Sequence, residues 1–418
     1  MKTFYGRPTC IRRDKHRPFR ALILNIFEED YTSVGADPSL DDHIPIATEP
    51  PNYHSEHSGH DLNDELGRLA SLAHKYPVEN KRRLNIPTGR DQALEAIDPI
   101  HQIWLLMLNG ALCAAPVRTF ETEIVDIKRG KGTWAKDFVS TYRTTTVDGI
   151  DSEVTWNPSA WWPGRLSGRL YFCVERIDWS RGLPLNCYDF IHARSVSNII
   201  VDWATHYARV FAHLRPNGYY EQKEFSYFFT SDDGSVPDDH VFHDWRDLQI
   251  AAALASPAVP TGASTSFDAH RQGLIDAGFV DIVERRMKIP LGPWSSNKRL
   301  SEAGRWLRYH ALASVDNHTS FDPVFERLGW SEMMRSYFLE SFRDALLDGG
   351  IHAYLSCFVI YGRKPDPGPY MDQENNDDSA GDSSDGENSG SDNSETLAIP
   401  ATKHAENTTK WLLEDWPI

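Results

Sequence analysis

Two glycines, Gly130 and Gly132, follow a short apolar run, Glu123-Ile124-Val125-Asp126-Ile127, and precede a segment with helical spacing from Trp134 to Tyr142. A glycine turn between a strand and a helix lets backbone approach a ligand closely and presents the free N–H groups of the helix start. A second apolar run, Thr145 to Ile150, closes on Asp151, which lies 19 residues after Gly132. That is near the ~20-residue spacing at which the acid of a nucleotide-binding unit accepts ribose hydroxyls. A third run, Leu170 to Val174, ends at Glu175, which would face an adenine amine in the same crevice. A lone Gly-x-Gly is a weak signal. Residue types alone leave two readings open, a nucleotide site and an ordinary turn between strand and helix.

The elements that must hold these residues follow from periodicity. Leu94, Ile97, Ile100, Ile103, Trp104 and Met107 recur three or four apart and predict a helix over 91–108, ended by Asn109-Gly110. Beyond it, short apolar strands alternate with amphipathic helices, the pattern of an α/β sheet. Further strands are expected at Tyr188 to Ile191, Gly218 to Phe225, Val280 to Met287 and Ala353 to Tyr361. Helices are expected at Trp203 to Leu214, Phe267 to Ala277 and, as one element, Arg327 to Leu347. Residues 1–80 read as an irregular arm, 81–365 as the folded domain, and 366–418 as a disordered acidic tail with a short apolar segment, Lys410 to Trp416.

Composition narrows the function classes. The 418 residues carry a net charge of −17, but residues 366–395 hold ten acids and no Lys or Arg, leaving −7 on the rest. General nucleic-acid binding is disfavoured, because phosphate recognition needs clustered cations. The basic run Lys2, Arg7, Arg12, Arg13, Lys15, Arg17 and Arg20 reads as a solvated arm, with nuclear import or docking as the sharper alternative. No stretch approaches the ~20 apolar residues of a membrane span. The five scattered cysteines suit free thiols, and no secretory signal is visible, so a cytoplasmic or nuclear protein is expected. His54, His57 and His60 lack a surrounding ligand framework and read as polar loop, so no metal site is expected.

In chain order the motifs resemble the fungal LaeA-like methyltransferases. The segment Glu123 to Phe138 (EIVDIKRGKGTWAKDF) resembles that family's VLDVGTGTGIWAIDFA, and Tyr188 to Arg194 (YDFIHAR) its FDYIHIR. Asp202-Trp203 and Leu214 to Phe225 (LRPNGYYEQKEF) resemble its DW and LKPGGWVEHQEF. Ala277 to Phe279, Pro290 to Trp294, Leu328 to Trp330, Ile351 to Tyr354 and Tyr361 to Pro365 follow in family order, so the likeness covers about residues 81–365. It implies a Rossmann-like class I methyltransferase sheet with helices on both faces, an N-terminal helical cover and a helical insertion before the last strand. It implies S-adenosyl-L-methionine as cofactor, with Gly130 and Gly132 on its methionine side and Asp151 on its ribose. Glu175 falls near the adenine, where the family usually has Asp, and His192 and Arg194 would line the pocket. Asp126 completes the set.

The resemblance also implies a role in fungal secondary metabolism, as regulator or tailoring enzyme, with a small-molecule or protein methyl acceptor and a regulatory protein partner. Lys128 stands where the family has its first motif glycine, flanked by Arg129 and Lys131. Cations there oppose the cofactor's sulfonium unless Asp126 or Glu123 offsets them. The alternative is therefore a degenerate family member that binds a partner without turnover. A nicotinamide oxidoreductase is weakly supported, since no motif for hydride chemistry accompanies the turn. No general base is assigned: His192 and Glu221 are candidates, with core or hydrogen-bonding roles equally open. Trp294, Trp306 and Tyr309 either cap a substrate pocket or pack among C-terminal helices.

Overall fold

The computed structural model describes residues 44–45, 98–118, 122–127, 130–142, 144–151, 170–174, 183–255, 267–318 and 321–367. All lie in one of the chain's two units, Met1–Gly368; the other is Pro369–Ile418. The basic arm, the three histidines at His54, His57 and His60, Lys128, Glu175 and the tail beyond 367 lie outside the described residues.

In chain order the elements are α1 (Pro99–Met107), β1 (Glu123–Ile127), α2 (Thr133–Thr141), β2 (Thr146–Asp151), β3 (Leu170–Val174), β4 (Tyr188–Arg194) and α3 (Trp203–His213). They continue with β5 (Leu214–Thr230), α4 (Val241–Ala255), α5 (Phe267–Asp276), β6 (Val280–Pro290) and α6 (Lys298–Asp316). Last come α7 (Asp322–Arg327), α8 (Glu332–Leu347) and β7 (Tyr354–Arg363). The strands form one sheet in the order β3-β2-β1-β4-β5-β7-β6. Strands β1 to β5 pair in parallel, and β7 is inserted antiparallel between β5 and β6. This is the expected Rossmann-like class I sheet. Strand order reverses at β1, so the connections that leave β1 and β4 run to opposite sides and leave a crevice at the strands' carboxyl ends.

Local sequence explains the element boundaries. Asp98 caps α1 by accepting the His101 amide at 3.1 Å, and Pro99 starts the helix where no N–H is needed. Asn109 and Gly110 end it with positive φ. On one face of the sheet α1 and α2 bury Leu105, Trp134, Phe138 and Val139 against Ile124, Val147 and Phe190. On the other face Tyr207, Val210 and Leu274 of α3 and α5 cover Val125, Ile150, Ile191 and Tyr220. Helices α4, α6, α7 and α8 surround the long ends of β5, β6 and β7 with a cluster that includes Trp245, Phe321, Phe325, Trp330, Phe338 and Phe342. There the backbones nearly touch: a Cβ on Gly304 would sit 2.0 Å from the Gly292 carbonyl oxygen, and the Gly292 amide donates to the Gly304 carbonyl at 3.0 Å.

Three expectations change in detail. The helix expected over 327–347 begins only at Glu332, because Arg327 ends the separate helix α7, Gly329 takes φ 66° and Ser331 caps the new start through the Met334 amide. Helix α4 has no counterpart among the expected elements. Strand β5 reaches Thr230 rather than Phe225, extended by its pairing with β7 as far as Tyr354.

A buried polar network lies under α3 and α5. The Tyr207 hydroxyl donates to Gln222 at 3.0 Å and lies 2.7 Å from His270 Nδ1, while His206 Nε2 lies 3.1 Å from the Tyr220 hydroxyl. Burial, aided by His270 and Arg209, pushes His206 down to about 3, and burial pushes His270 down to about 4. Both histidines are therefore neutral in the folded protein, whereas the unfolded chain takes up their protons below ~6.5. Stability is thus full above about pH 6.5 and falls as pH drops towards the folded values, by about 1.4 kcal/mol per pH unit for each histidine within that window. Urea unfolding at pH 7.5, 6 and 5 is expected to show this decline; equal stability at the three values would contradict it.

Candidate active site

The glycine turn is shaped by backbone. Gly130 has φ 52° and Gly132 φ 70°, left-handed values that favour glycine, and Gly132 is the residue before α2. A Cβ built on Gly130 meets nothing within 4 Å, so the turn faces open space. The Gly130 amide donates to Asp151 Oδ2 at 3.0 Å, which ties the turn to the end of β2. The structure therefore brings together Gly130, Gly132 and Asp151.

Asp126 and His192 lie one layer lower, directly paired across β1 and β4. Both are buried, and His192 Nδ1 is 2.8 Å from Asp126 Oδ1. Trp134 stacks over the imidazole at 3.8 Å between centroids and 9° between planes. Burial first, then Lys223, Arg194 and His101, holds His192 well below its ordinary pKa. A neutral ring that donates Nδ1–H to Asp126 leaves Nε2 as a lone pair, and that atom has no hydrogen-bond partner among the described residues. His192 thus supports the floor of the crevice from beneath Trp134.

Arg194, at the end of β4, turns to the cover helix. Its Nη2 is 2.8 Å from Asp98 Oδ2 and its Nη1 3.4 Å from His101 Nδ1; His101 Nε2 is in turn 2.9 Å from Asp137 Oδ2 on α2. Burial raises the Asp98 carboxyl, but Arg194, His101, the His101 amide and Lys131 together outweigh it and hold the group below its ordinary value. Asp98, His101 and Asp137 are missing from the sequence-based candidates. Their only sequence signal is the capping position of Asp98.

Glu221 is not placed to take a proton from a substrate. Its Oε2 accepts the Ala114 and Ala115 amides at 2.6 and 2.7 Å, and its Oε1 is 3.0 Å from Lys223 Nζ. Lys223 also donates to Leu112 O at 2.7 Å, the carbonyl that accepts Trp134 Nε1–H at 2.7 Å. These contacts lay the segment after α1 over the sheet. Trp306 is core, and Tyr309 lies half-buried edge-on to it. Trp294 donates to Ala353 O at 3.0 Å and packs with Ile44 and Tyr354. All three pack among or beside the C-terminal helices. Among the described residues no His, Cys, Asp and Glu cluster could hold a metal ion, and no helix is long and apolar enough to cross a membrane.

A sheet of this order with a glycine turn and a β2 acid is that of a class I methyltransferase. No protein-family model matches the chain. It is 27% identical over 331 residues to methyltransferase pytC of Aspergillus terreus, covering 76% of this chain and 98% of the relative. It is 26% identical over 278 residues to the protein-methionine methyltransferase laeA of Emericella nidulans, covering 66% and 71%. It is 28% identical over 287 residues to the secondary metabolism regulator laeA of Fusarium oxysporum, covering 66% and 86%. Among solved structures, the geranyl diphosphate methyltransferase in complex with SAM aligns with TM-score 0.38 at 14% identity, over 77% of this chain and 98% of that one. These relatives are fungal methyltransferases and secondary metabolism regulators, and the chain is similar to them over about two thirds or more of its length.

The position of Glu221 carries a test. Glu221→Gln leaves the Lys223 ammonium buried without its counter-charge, and a broken buried pair costs about 3–5 kcal/mol. Urea unfolding is expected to register a loss of that order; a change under about 1 kcal/mol would show that the pair does not hold the cover segment.

Proposed function

We propose that the chain transfers a methyl group from S-adenosyl-L-methionine to a small-molecule or protein acceptor, with the cofactor lying across the Gly130–Gly132 turn and its ribose on Asp151. The observation that carries this reading is the 3.0 Å bond from the Gly130 amide to Asp151, beside a glycine whose missing Cβ leaves open space. That bond orients a carboxylate at the end of β2, where two ribose hydroxyls can donate to it. The two glycines keep side chains off the path of the methionine portion.

S-adenosylmethionine supplies a methyl already activated on a sulfonium, so the chain's share is positioning and exclusion of water. Carboxylates stand near the turn. Asp151 lies at the turn, Asp126 one layer lower beside His192, and Asp98 is engaged by Arg194 at 2.8 Å. Glu175 would approach the adenine; it and Lys128 lie outside the described residues. Similarity to fungal methyltransferases and secondary metabolism regulators supports a role in secondary metabolism, which we read as tailoring a metabolite or as regulation through a protein acceptor and a protein partner.

Calorimetric titration with S-adenosylhomocysteine tests the placement. Asp151→Ala removes the acceptor of charge-assisted hydrogen bonds and is expected to weaken binding by ~2 kcal/mol, roughly thirtyfold. Equal binding by wild type and variant would mean that the ribose lies elsewhere.

A further inference from the structure

The ion pair between Asp98 and Arg194 joins the cap of α1 to the end of β4. Asp98 is the residue that caps the cover helix and Arg194 the last of β4, 96 positions apart in sequence. Around them His101 bridges Arg194 to Asp137, and Asp137 sits on the helix that begins at Gly132. Lys131, between the two motif glycines, is near enough to lower the Asp98 carboxyl. The start of α1 therefore stands at the glycine turn, tied on one side to β4 and on the other to α2. Asp98 serves twice: Oδ1 accepts the His101 amide as helix cap, and Oδ2 holds Arg194.

The rest of α1 is anchored differently. Ile103, Trp104, Leu105 and Leu106 are buried apolar residues that keep the later turns in the core. The first turn has less apolar hold, with Pro99 and Ile100 half-buried and Ile100 packed against the core, and its outer edge is fixed by the polar contacts of Asp98 and His101. A turn held by a largely desolvated charge pair has two well-separated states, because a partly broken pair leaves a charge neither solvated nor paired.

We infer that Asp98 and Arg194 are positioning residues that latch the first turn of α1 across the mouth of the Gly130–Gly132 crevice, so that the cofactor enters and leaves only when this turn opens. The inference rests on the methyltransferase reading of that crevice. Arg194 then acts through the helix and touches no cofactor atom.

The two roles differ kinetically. A direct cofactor ligand slows dissociation, so its loss raises the off-rate and weakens affinity by the same factor. A latch that closes the site with or without ligand slows both directions, so its loss raises both rates and moves the dissociation constant little.

Stopped-flow binding of S-adenosylhomocysteine to the full chain should be compared for wild type, Asp98→Asn, Arg194→Gln and the double variant. Asn caps a helix as well as Asp, so Asp98→Asn removes the ion pair and keeps the cap. Each single variant is expected to raise both rate constants roughly tenfold while the dissociation constant shifts by less than about threefold, and the double variant should be no faster than either single one. Amide exchange across 98–102 in the ligand-free variants should rise in parallel. A rise in off-rate alone for Arg194→Gln would make Arg194 a cofactor ligand and overturn the latch. Unchanged rates in both single variants would overturn it as well. If wild type binds no S-adenosylhomocysteine, the methyltransferase reading of the crevice fails and the latch's part in exchange fails with it, whereas binding with unaltered kinetics removes the latch alone.

Discussion

The Glu221 carboxylate sits near the middle of the sheet, where burial would make a lone charge very costly. The cost is offset by two backbone amides from Ala114 and Ala115 and by the ammonium of Lys223. Both charges come from β5, while the amides and the Leu112 carbonyl come from the segment that follows α1. The cover of the domain is thus joined to its central strand by buried hydrogen bonds. Trp134 shares the Leu112 carbonyl, and its ring lies flat on His192. One connected set of polar contacts therefore runs from the cover segment through α2 to the floor of the crevice.

The alignment of β1, β4 and β5 makes this possible. Asp126, His192 and Glu221 occupy one rung across three strands, and Arg194 and Lys223 occupy another. Successive side chains on a strand alternate between faces, so all five lie on the face that α1 and α2 cover. The opposite face of β5 carries Gln222 and Glu224, which join the network of Tyr207, Tyr220 and His270. A central strand polar on both faces is unusual for a parallel sheet, whose strands tend to be apolar throughout. Here it lets one strand hold both the cover and the outer helices in register.

Much of this fold is legible in the sequence. Apolar runs of five to seven residues bounded by glycine and acid locate β1, β2, β3 and β4, and the glycine spacing places the turn between β1 and α2. Gly130, Gly132 and Asp151 are readable because a turn and a strand end follow local rules. The polar pairings are not. Glu221 meets Ala114 across 107 positions, and Arg194 meets Asp98 across 96, and nothing in the intervening sequence marks either partner. Hence His192 and Glu221 read equally well as acid–base groups or as core groups until their neighbours are known. Helix α4 carries Val241, Phe242, Trp245, Leu248 and Ala252 at helical spacing, a signal that was present but stands between strands already fully assigned. Its burial depends on β5 running on to Thr230, and that length is set by pairing with β7 rather than by local preference.

The central claim is that the crevice at the carboxyl ends of β1 and β4, floored by Trp134 and His192 and flanked by Asp151 at the end of β2, is where the cofactor rests. Hydrogen–deuterium exchange with and without saturating S-adenosylhomocysteine tests it most directly, because it reads location without requiring a known acceptor. The account expects protection to concentrate in peptides that span residues 124–134 and 146–151. Protection confined to the C-terminal helices, or absent under saturating ligand, would contradict it.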